Sequence, residues 1–180
     1  MKELSLNILD IAKNSVKARA SLITVIIDEQ GPWRTLTIAD DGCGMPPEMV
    51  AAVTDPFTTT RKTRPVGMGL PLLKLAAEQT GGTLTVRSSQ AEEDHGTVVT
   101  ATFDMTHLDC VPLGDYAGTM VTLIQGSPDI DFSFLYRSAT GQISLETKQM
   151  REILGDVPLD TPEVLAWVYE SLCAPEENNA

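Results

Sequence analysis

The chain has 180 residues, 42% of them hydrophobic, with a mean hydropathy of −0.02 and a formal net charge of −12. This length suits one ordinary domain plus a small second one, and the composition is that of a soluble globular protein with enough apolar residues for a core. No apolar run approaches the ~18 residues needed to span a bilayer, Met1–Asn7 holds no signal-peptide core, and the widely spaced Cys43, Cys110 and Cys173 form neither a disulfide framework nor a CxxC motif, so a reducing cytoplasm is the expected location.

The first predicted element is a helix over residues 3–19. Leu4, Ile8, Ile11 and Ala18 fall on one flank and Leu6, Leu9 and Val16 on another, with Asn7, Asp10, Asn14 and Lys17 as a polar stripe between them. Such a helix suits burial over a polar cavity; a stripe that merely faces water is the alternative. Residues 22–28 (LITVIID) and 34–39 (RTLTIA) are β-branched runs joined around Gly31-Pro32, and they predict a hairpin that delivers Asp40 at its end. A short helix over 47–54 opens with Pro46-Pro47. Residues 55–68 are turn-rich and basic, and 69–79 predicts a helix stopped by Gly81-Gly82. Residues 83–88 and 97–103 alternate as strands around a charged turn. This order predicts an α/β sandwich, a mixed sheet with helices on one face.

Beyond Asp104 the pattern restarts. A helix is expected at 115–125, a hairpin at 130–137 and 142–146 turning at Thr140-Gly141, and helices at 148–154 and 162–172. Residues 1–103 hold 10 Lys and Arg against 12 Asp and Glu, whereas residues 104–180 hold 3 against 13. That asymmetry and the new hairpin pattern predict a first domain over 1–104 and a small acidic α+β C-terminal unit over 110–180, with packing of residues 105–180 against the first domain's sheet as the alternative. Nucleic acid and anionic membrane would be repelled by the acidic unit and are not expected partners. A cationic protein partner suits it, as does a purely solubilising role.

Three short segments carry chemistry. Asp40-Asp-Gly42-Cys-Gly44 leaves a strand directly, so a carboxylate there can accept a hydrogen bond from an exocyclic amine while the glycines let the backbone approach a flat ring. Gly67-Met68-Gly69-Leu70 opens a helix whose N-terminus can face an anion. It is neither a P-loop nor a Rossmann fingerprint, and a structural turn is the plain alternative. The preceding loop carries Arg61, Lys62 and Arg64, which suit triphosphate charge. On the first helix, Asn14 offers a hard oxygen for Mg²⁺, Asp10 can orient or deprotonate a nucleophile, and Lys17 can pair with a phosphate.

In order and spacing these segments resemble the GHKL ATPases, the family of type II topoisomerase, heat-shock chaperone, histidine kinase and mismatch-repair ATP-binding domains. Asp10-Ile-Ala-Lys-Asn14-Ser-Val-Lys17 resembles the N-box and Asp40–Met45 the first glycine box. Asp55-Pro56-Phe57 resembles the F-box, Gly67–Leu70 the second glycine box, and Gly96-Thr97 the late Gly-Thr beside the adenine. The resemblance implies a Bergerat-type fold over residues 1–104, with Asp40 on adenine assisted by Thr97. It implies nucleotide contacts from Asn14, Lys17, Gly42, Gly44, Met45, Phe57, Thr60, Arg61, Lys62, Gly67, Met68, Gly69 and Leu70, with Mg²⁺ on Asn14 and Asp10 as the catalytic residue. Thr58–Val66 would be a short lid.

Three departures stand out. Hydrolysing members usually carry Glu where this chain has Asp10, the chain begins at the N-box helix, and no helical segment with a phosphoacceptor His is present. The expected function is therefore an Mg-dependent, ATP-binding regulatory protein of histidine-kinase-like fold, in the cytoplasm, that phosphorylates or switches a partner protein through its acidic unit. A slow ATPase or non-catalytic nucleotide sensor is the alternative, and homodimerisation is left open. A topoisomerase-like or repair motor fits least.

Overall fold

The computed structural model describes residues 3–55 and 68–174. In chain order the elements are α1 (Leu4–Lys17), β1 (Leu22–Gln30), β2 (Trp33–Asp40), α2 (Pro47–Val53), α3 (Gly69–Gln79), β3 (Leu84–Ser89), β4 (Gly96–Asp104), α4 (Tyr116–Gly126), β5 (Asp131–Ser138), β6 (Gly141–Glu146), α5 (Thr147–Leu154) and α6 (Pro162–Cys173). Each predicted helix and strand is present, with ends shifted by a residue or two.

The strands form one six-stranded mixed sheet in the order β3-β4-β2-β1-β5-β6. All neighbours are antiparallel except β1 and β5, which run parallel from Leu22↔Asp131 to Asp28↔Arg137. Period-2 alternation puts Ile23, Val25 and Ile27 of β1, Leu36 and Ile38 of β2, Val99, Ala101 and Phe103 of β4, and Phe132 and Phe134 of β5 on one buried face. Helices cover that face, and α1 contributes Leu4, Ile8, Ile11 and Ala12 to its core. The opposite face carries half-exposed threonines such as Thr24, Thr35, Thr37 and Thr100, a β-branched surface suited to a sheet that meets water on one side.

The boundary expected between residues 104 and 110 does not separate two sheets. β5 continues the sheet from β1, and Phe132, Phe134, Met120 and Val168 join the same core as Leu4 and Ile38. The C-terminal stretch also holds α1 in place. No side chain caps the start of α1; instead its first amides, Leu4 N–H and Ser5 N–H, donate to the carbonyls of Pro112 and Leu113, both at 2.9 Å. Thr119 on α4 donates to the Ser5 carbonyl at 3.2 Å. Charge asymmetry reports surfaces, and these shared contacts are interior.

Candidate functional site

α1 crosses the buried face of the sheet next to the ends of β2 and β4. Between them lies a cavity of about 180 Å³ lined by Ile11, Asn14, Ser15, Lys17, Ala18, Ile38, Asp40, Cys43, Gly44, Met45, Met49, Leu70, Thr97 and Val99. Its walls are largely apolar, from Ile11, Ile38, Met45, Leu70 and Val99, with a few polar side chains (Asn14, Ser15, Lys17, Asp40 and Thr97) among them, the usual composition of a small-molecule pocket.

Asp40 is the last residue of β2 and stands opposite Thr97 of β4, which in turn stands opposite Ser88 of β3. These three inward-facing side chains form a row across the sheet end. The Asp40 carboxylate accepts from Ser15 Oγ at 2.5 Å and from the Gly42 N–H at 2.9 Å. Each carboxylate oxygen has a second lone pair, so acceptor capacity remains. Ser88 Oγ accepts from the Met45 N–H at 2.8 Å, donates to the Gly96 carbonyl at 3.0 Å and lies 2.8 Å from Thr97 Oγ1. With the single Ser88 hydroxyl proton placed on Gly96, Thr97 must donate to Ser88. That arrangement leaves Thr97 Oγ1 as an acceptor beside Asp40.

Pleating sends the next residue, Asp41, away from the cavity. Its carboxylate accepts from the Ser21 hydroxyl, the Ser21 N–H at 2.7 Å and the Leu22 N–H at 2.9 Å. Burial would raise its pKa, but these hydrogen bonds outweigh burial and hold the carboxyl below the usual value. Asp41 thereby ties the β2 end to the start of β1. The turn itself is fixed by close approach. Gly44 has φ +71, and a Cβ there would lie 1.8 Å from the Ser89 carbonyl oxygen. His95 Nδ1–H donates to the Gly42 carbonyl at 2.7 Å, which sets the tautomer of that ring.

Along α1 the expected stripe divides. Asn7 is buried and its Oδ1 makes no hydrogen bond among the described residues, whereas Asp10 and Lys17 are exposed and Asn14 is half-buried. Asn14 and Lys17 line the cavity. Asp10 does not; it lies one turn away beside the second glycine segment, where a Cβ on Gly69 would come within 3.2 Å of the Asp10 Cβ.

Of the residues singled out in the sequence, Asn14, Lys17, Asp40, Gly44, Met45, Leu70 and Thr97 come together at the cavity, and Gly42 supports Asp40 through its N–H. Gly69 opens α3 against Asp10, and Met68 is the residue before that helix, accepting from the Leu72 N–H at 3.1 Å. Phe57, Thr60, Arg61, Lys62 and Gly67, with the rest of the expected lid, lie outside the described residues. Sequence reasoning missed Ser15, Ser88 and Met49. Ser15 had a signal, a serine adjacent to Asn14 at a buried position of an apolar helix. Ser88 reads as one more polar residue near a strand end, and only cross-strand register reveals it.

Comparison with known proteins accords with this geometry. Residues 2–107 match the family described as histidine kinase-, DNA gyrase B-, and HSP90-like ATPase. Among curated proteins, a putative NtrY-like sensor histidine kinase of Rickettsia conorii is 30% identical over 110 residues, 61% of this chain and 18% of that protein. The sensor histidine kinase ZraS of Klebsiella oxytoca is 35% identical over 85 residues, 46% of this chain and 18% of that protein. The chain thus spans under a fifth of the length of these relatives. Among solved structures, the Aquifex aeolicus MutL ATPase domain complexed with ADP superposes with a TM-score of 0.55 at 14% identity, covering 98% of this chain and 71% of that one. The N-terminal domain of a DNA repair protein gives 0.56 at 16% identity, covering 80% of this chain and 51% of that one. These last two likenesses concern the fold alone. Among the described residues no helix is long and apolar enough to cross a membrane.

Proposed function

The chain belongs to the family of histidine kinase-, DNA gyrase B- and HSP90-like ATPases, and on that premise we propose that it binds Mg·ATP in the α1–β2–β4 cavity and phosphorylates or switches a partner protein in the cytoplasm. The observation that carries the nucleotide assignment is the pair of neighbouring acceptors, Asp40 and Thr97, set among apolar walls. An exocyclic amine such as adenine N6 donates two hydrogen bonds and suits two acceptors. The carbonyl that guanine carries at that position would face them as an unpaired acceptor, at a cost of about 1–3 kcal/mol. ATP is therefore preferred over GTP.

The donor set also fits a magnesium ion. Asn14 presents one hard oxygen at the cavity wall, half-buried and without a side-chain hydrogen bond among the described residues, and Mg²⁺ typically takes few protein ligands, filling its shell with phosphate oxygens and waters. When bound, the ion would neutralise phosphate charge. Asn14 would hold it, Lys17 would add a positive charge, and Gly69 with the start of α3 would face the phosphates. Asp10 would accept the proton of the attacking hydroxyl of a partner side chain at its carboxylate.

A second reading, a slow ATPase or a nucleotide sensor without transfer, is favoured by Asp10 itself. It is exposed, lies outside the cavity lining and is one methylene shorter than Glu, and a displacement of about 1 Å can cost on the order of a hundredfold in rate. Incubation of the purified chain with γ-labelled ATP and cell extract separates the two. Transfer to an acceptor protein that Asp10→Asn lowers about a hundredfold, with ATP affinity unchanged, supports the transferase. Absence of labelled acceptor with wild type, despite ATP binding, supports the sensor.

A further inference from the structure

An apolar concavity lined by C-terminal residues shares no lining residue with the nucleotide site. It measures about 320 Å³ and is lined by Met150, Ile153 and Leu154 of α5 and by Glu163, Val164 and Trp167 of α6. Ile153 is 85% exposed and Trp167 54% exposed. Side chains this large and apolar, adjacent across a groove between two helices, form a patch of the kind that marks an interaction surface.

The exposed charges around the groove are mostly acidic. Glu152, Asp156, Asp160, Glu163 and Glu170 are all exposed on α5, α6 and the loop joining them. The cations of this stretch are Lys148 and Arg151, and Arg151 is occupied: its Nε donates to Asp131 at 2.8 Å and its Nη2 to the carbonyls of Ile130 and Pro128. On α6, Glu163, Trp167 and Glu170 recur at i, i+4 and i+7, which places the indole between two carboxylates on one helical face. A second copy docking here about a two-fold axis would bring two acidic rims together, which is unfavourable.

We propose that this groove receives an amphipathic helix of a partner protein, apolar residues entering between α5 and α6 and flanking Lys or Arg residues meeting the acidic rim. The proposal rests on the partner-binding part of the reading above and gives that partner a surface and a chemistry. Neither the groove nor its rim involves the nucleotide cavity, so the two are tested separately.

The probe is a 14-residue leucine–lysine peptide with one apolar helical face. A peptide of the same composition, reordered to have no such face, is the control. Trp167 fluorescence in a Trp33→Phe background reads the binding, since the chain has only these two tryptophans. The amphipathic peptide is expected to bind at least tenfold more tightly than the reordered one, and Ile153→Ser is expected to weaken it at least tenfold, as is typical of central interface side chains. Equal binding of both peptides would overturn the proposal by showing charge attraction alone, and so would indifference to Ile153→Ser. Self-association of the wild type abolished by Ile153→Ser would also overturn it, assigning the groove to a second copy. ATP titrated into Ile153→Ser checks that the variant is folded, and loss of peptide binding with ATP binding retained confirms the groove. Peptide binding by a wild type that does not bind ATP would sustain this proposal while removing the nucleotide reading.

Discussion

Asp40 is held by two donors from different parts of the chain, Ser15 on α1 and the Gly42 N–H in the turn that follows. Hydrogen bonds to a charged acceptor are stronger than neutral ones, and these two fix the carboxylate without exhausting its lone pairs. Ser15→Ala removes one of them and leaves an Asp40 oxygen facing the cavity. Because water can reach that oxygen, the cost should fall at the low end, about 1 kcal/mol or roughly fivefold in the Kd for ATP. Calorimetry on the variant checks this, and an unchanged Kd would mean that Ser15 does not position Asp40. The candidate role of Asp40 was legible because an acidic residue leaving a β-branched strand into Gly-x-Gly is a local pattern. Its partner Ser15, 25 positions away, was not, since that contact depends on how α1 crosses the sheet.

Between elements, a polar cluster joins β1, β2 and β5 beneath the 105–115 segment. Arg34 Nε donates to Glu29 at 2.8 Å, Arg34 Nη1 to the Val111 carbonyl at 3.4 Å, and the Tyr136 hydroxyl to Glu29 at 3.2 Å. Tyr116 of α4 stacks on Phe134 with ring centroids 5.4 Å apart and donates to the Leu172 carbonyl of α6 at 2.9 Å. Burial first, and then the Glu29 charge and hydrogen bond, push the Tyr136 pKa up from 10.0 to about 12. A raised folded-state pKa favours the neutral phenol in the native protein. Its stabilisation is therefore complete below pH 10 and lost as pH rises toward about 12. Stability measured by denaturant titration should fall across that window, and Tyr136→Phe should flatten the fall. A native Tyr136 that ionised near pH 10 would contradict this assignment. Helix and strand positions were readable from hydrophobic period, Gly and Pro. The cluster was not, because Arg34 and Glu29 look like ordinary hairpin surface residues until the 105–115 segment covers them.

Taken whole, the molecule depends on its C-terminal stretch. β5 pairs with β1 along its length, α4 packs against α1, and the Pro112 and Leu113 carbonyls receive the first amides of α1. The helix that carries Asp10, Asn14 and Lys17 is thus positioned by residues that read, in sequence, as a separate acidic unit. The alternation in residues 130–146 is the same whether that hairpin forms its own sheet or extends another, so pattern alone could not decide. A fragment of residues 1–107 would expose Ile23, Val25 and Ile27 at an unpaired β1 edge and leave α1 without its N-terminal acceptors. It is expected to show no cooperative thermal transition by circular dichroism. A fragment melting cooperatively near the temperature of the full chain would show instead that the first part is self-sufficient.

The proposed nucleotide binding in this fold turns on Asp40 as the adenine acceptor. Calorimetric titration of ATP into the purified full chain, with and without Mg²⁺ and beside Asp40→Asn, tests it most directly. Wild type is expected to show saturable, Mg²⁺-strengthened binding, weakened at least tenfold by Asp40→Asn, as expected for loss of an acceptor worth about 1.5–3 kcal/mol. Wild type that fails to bind ATP, or Asp40→Asn that binds it equally well, would contradict it.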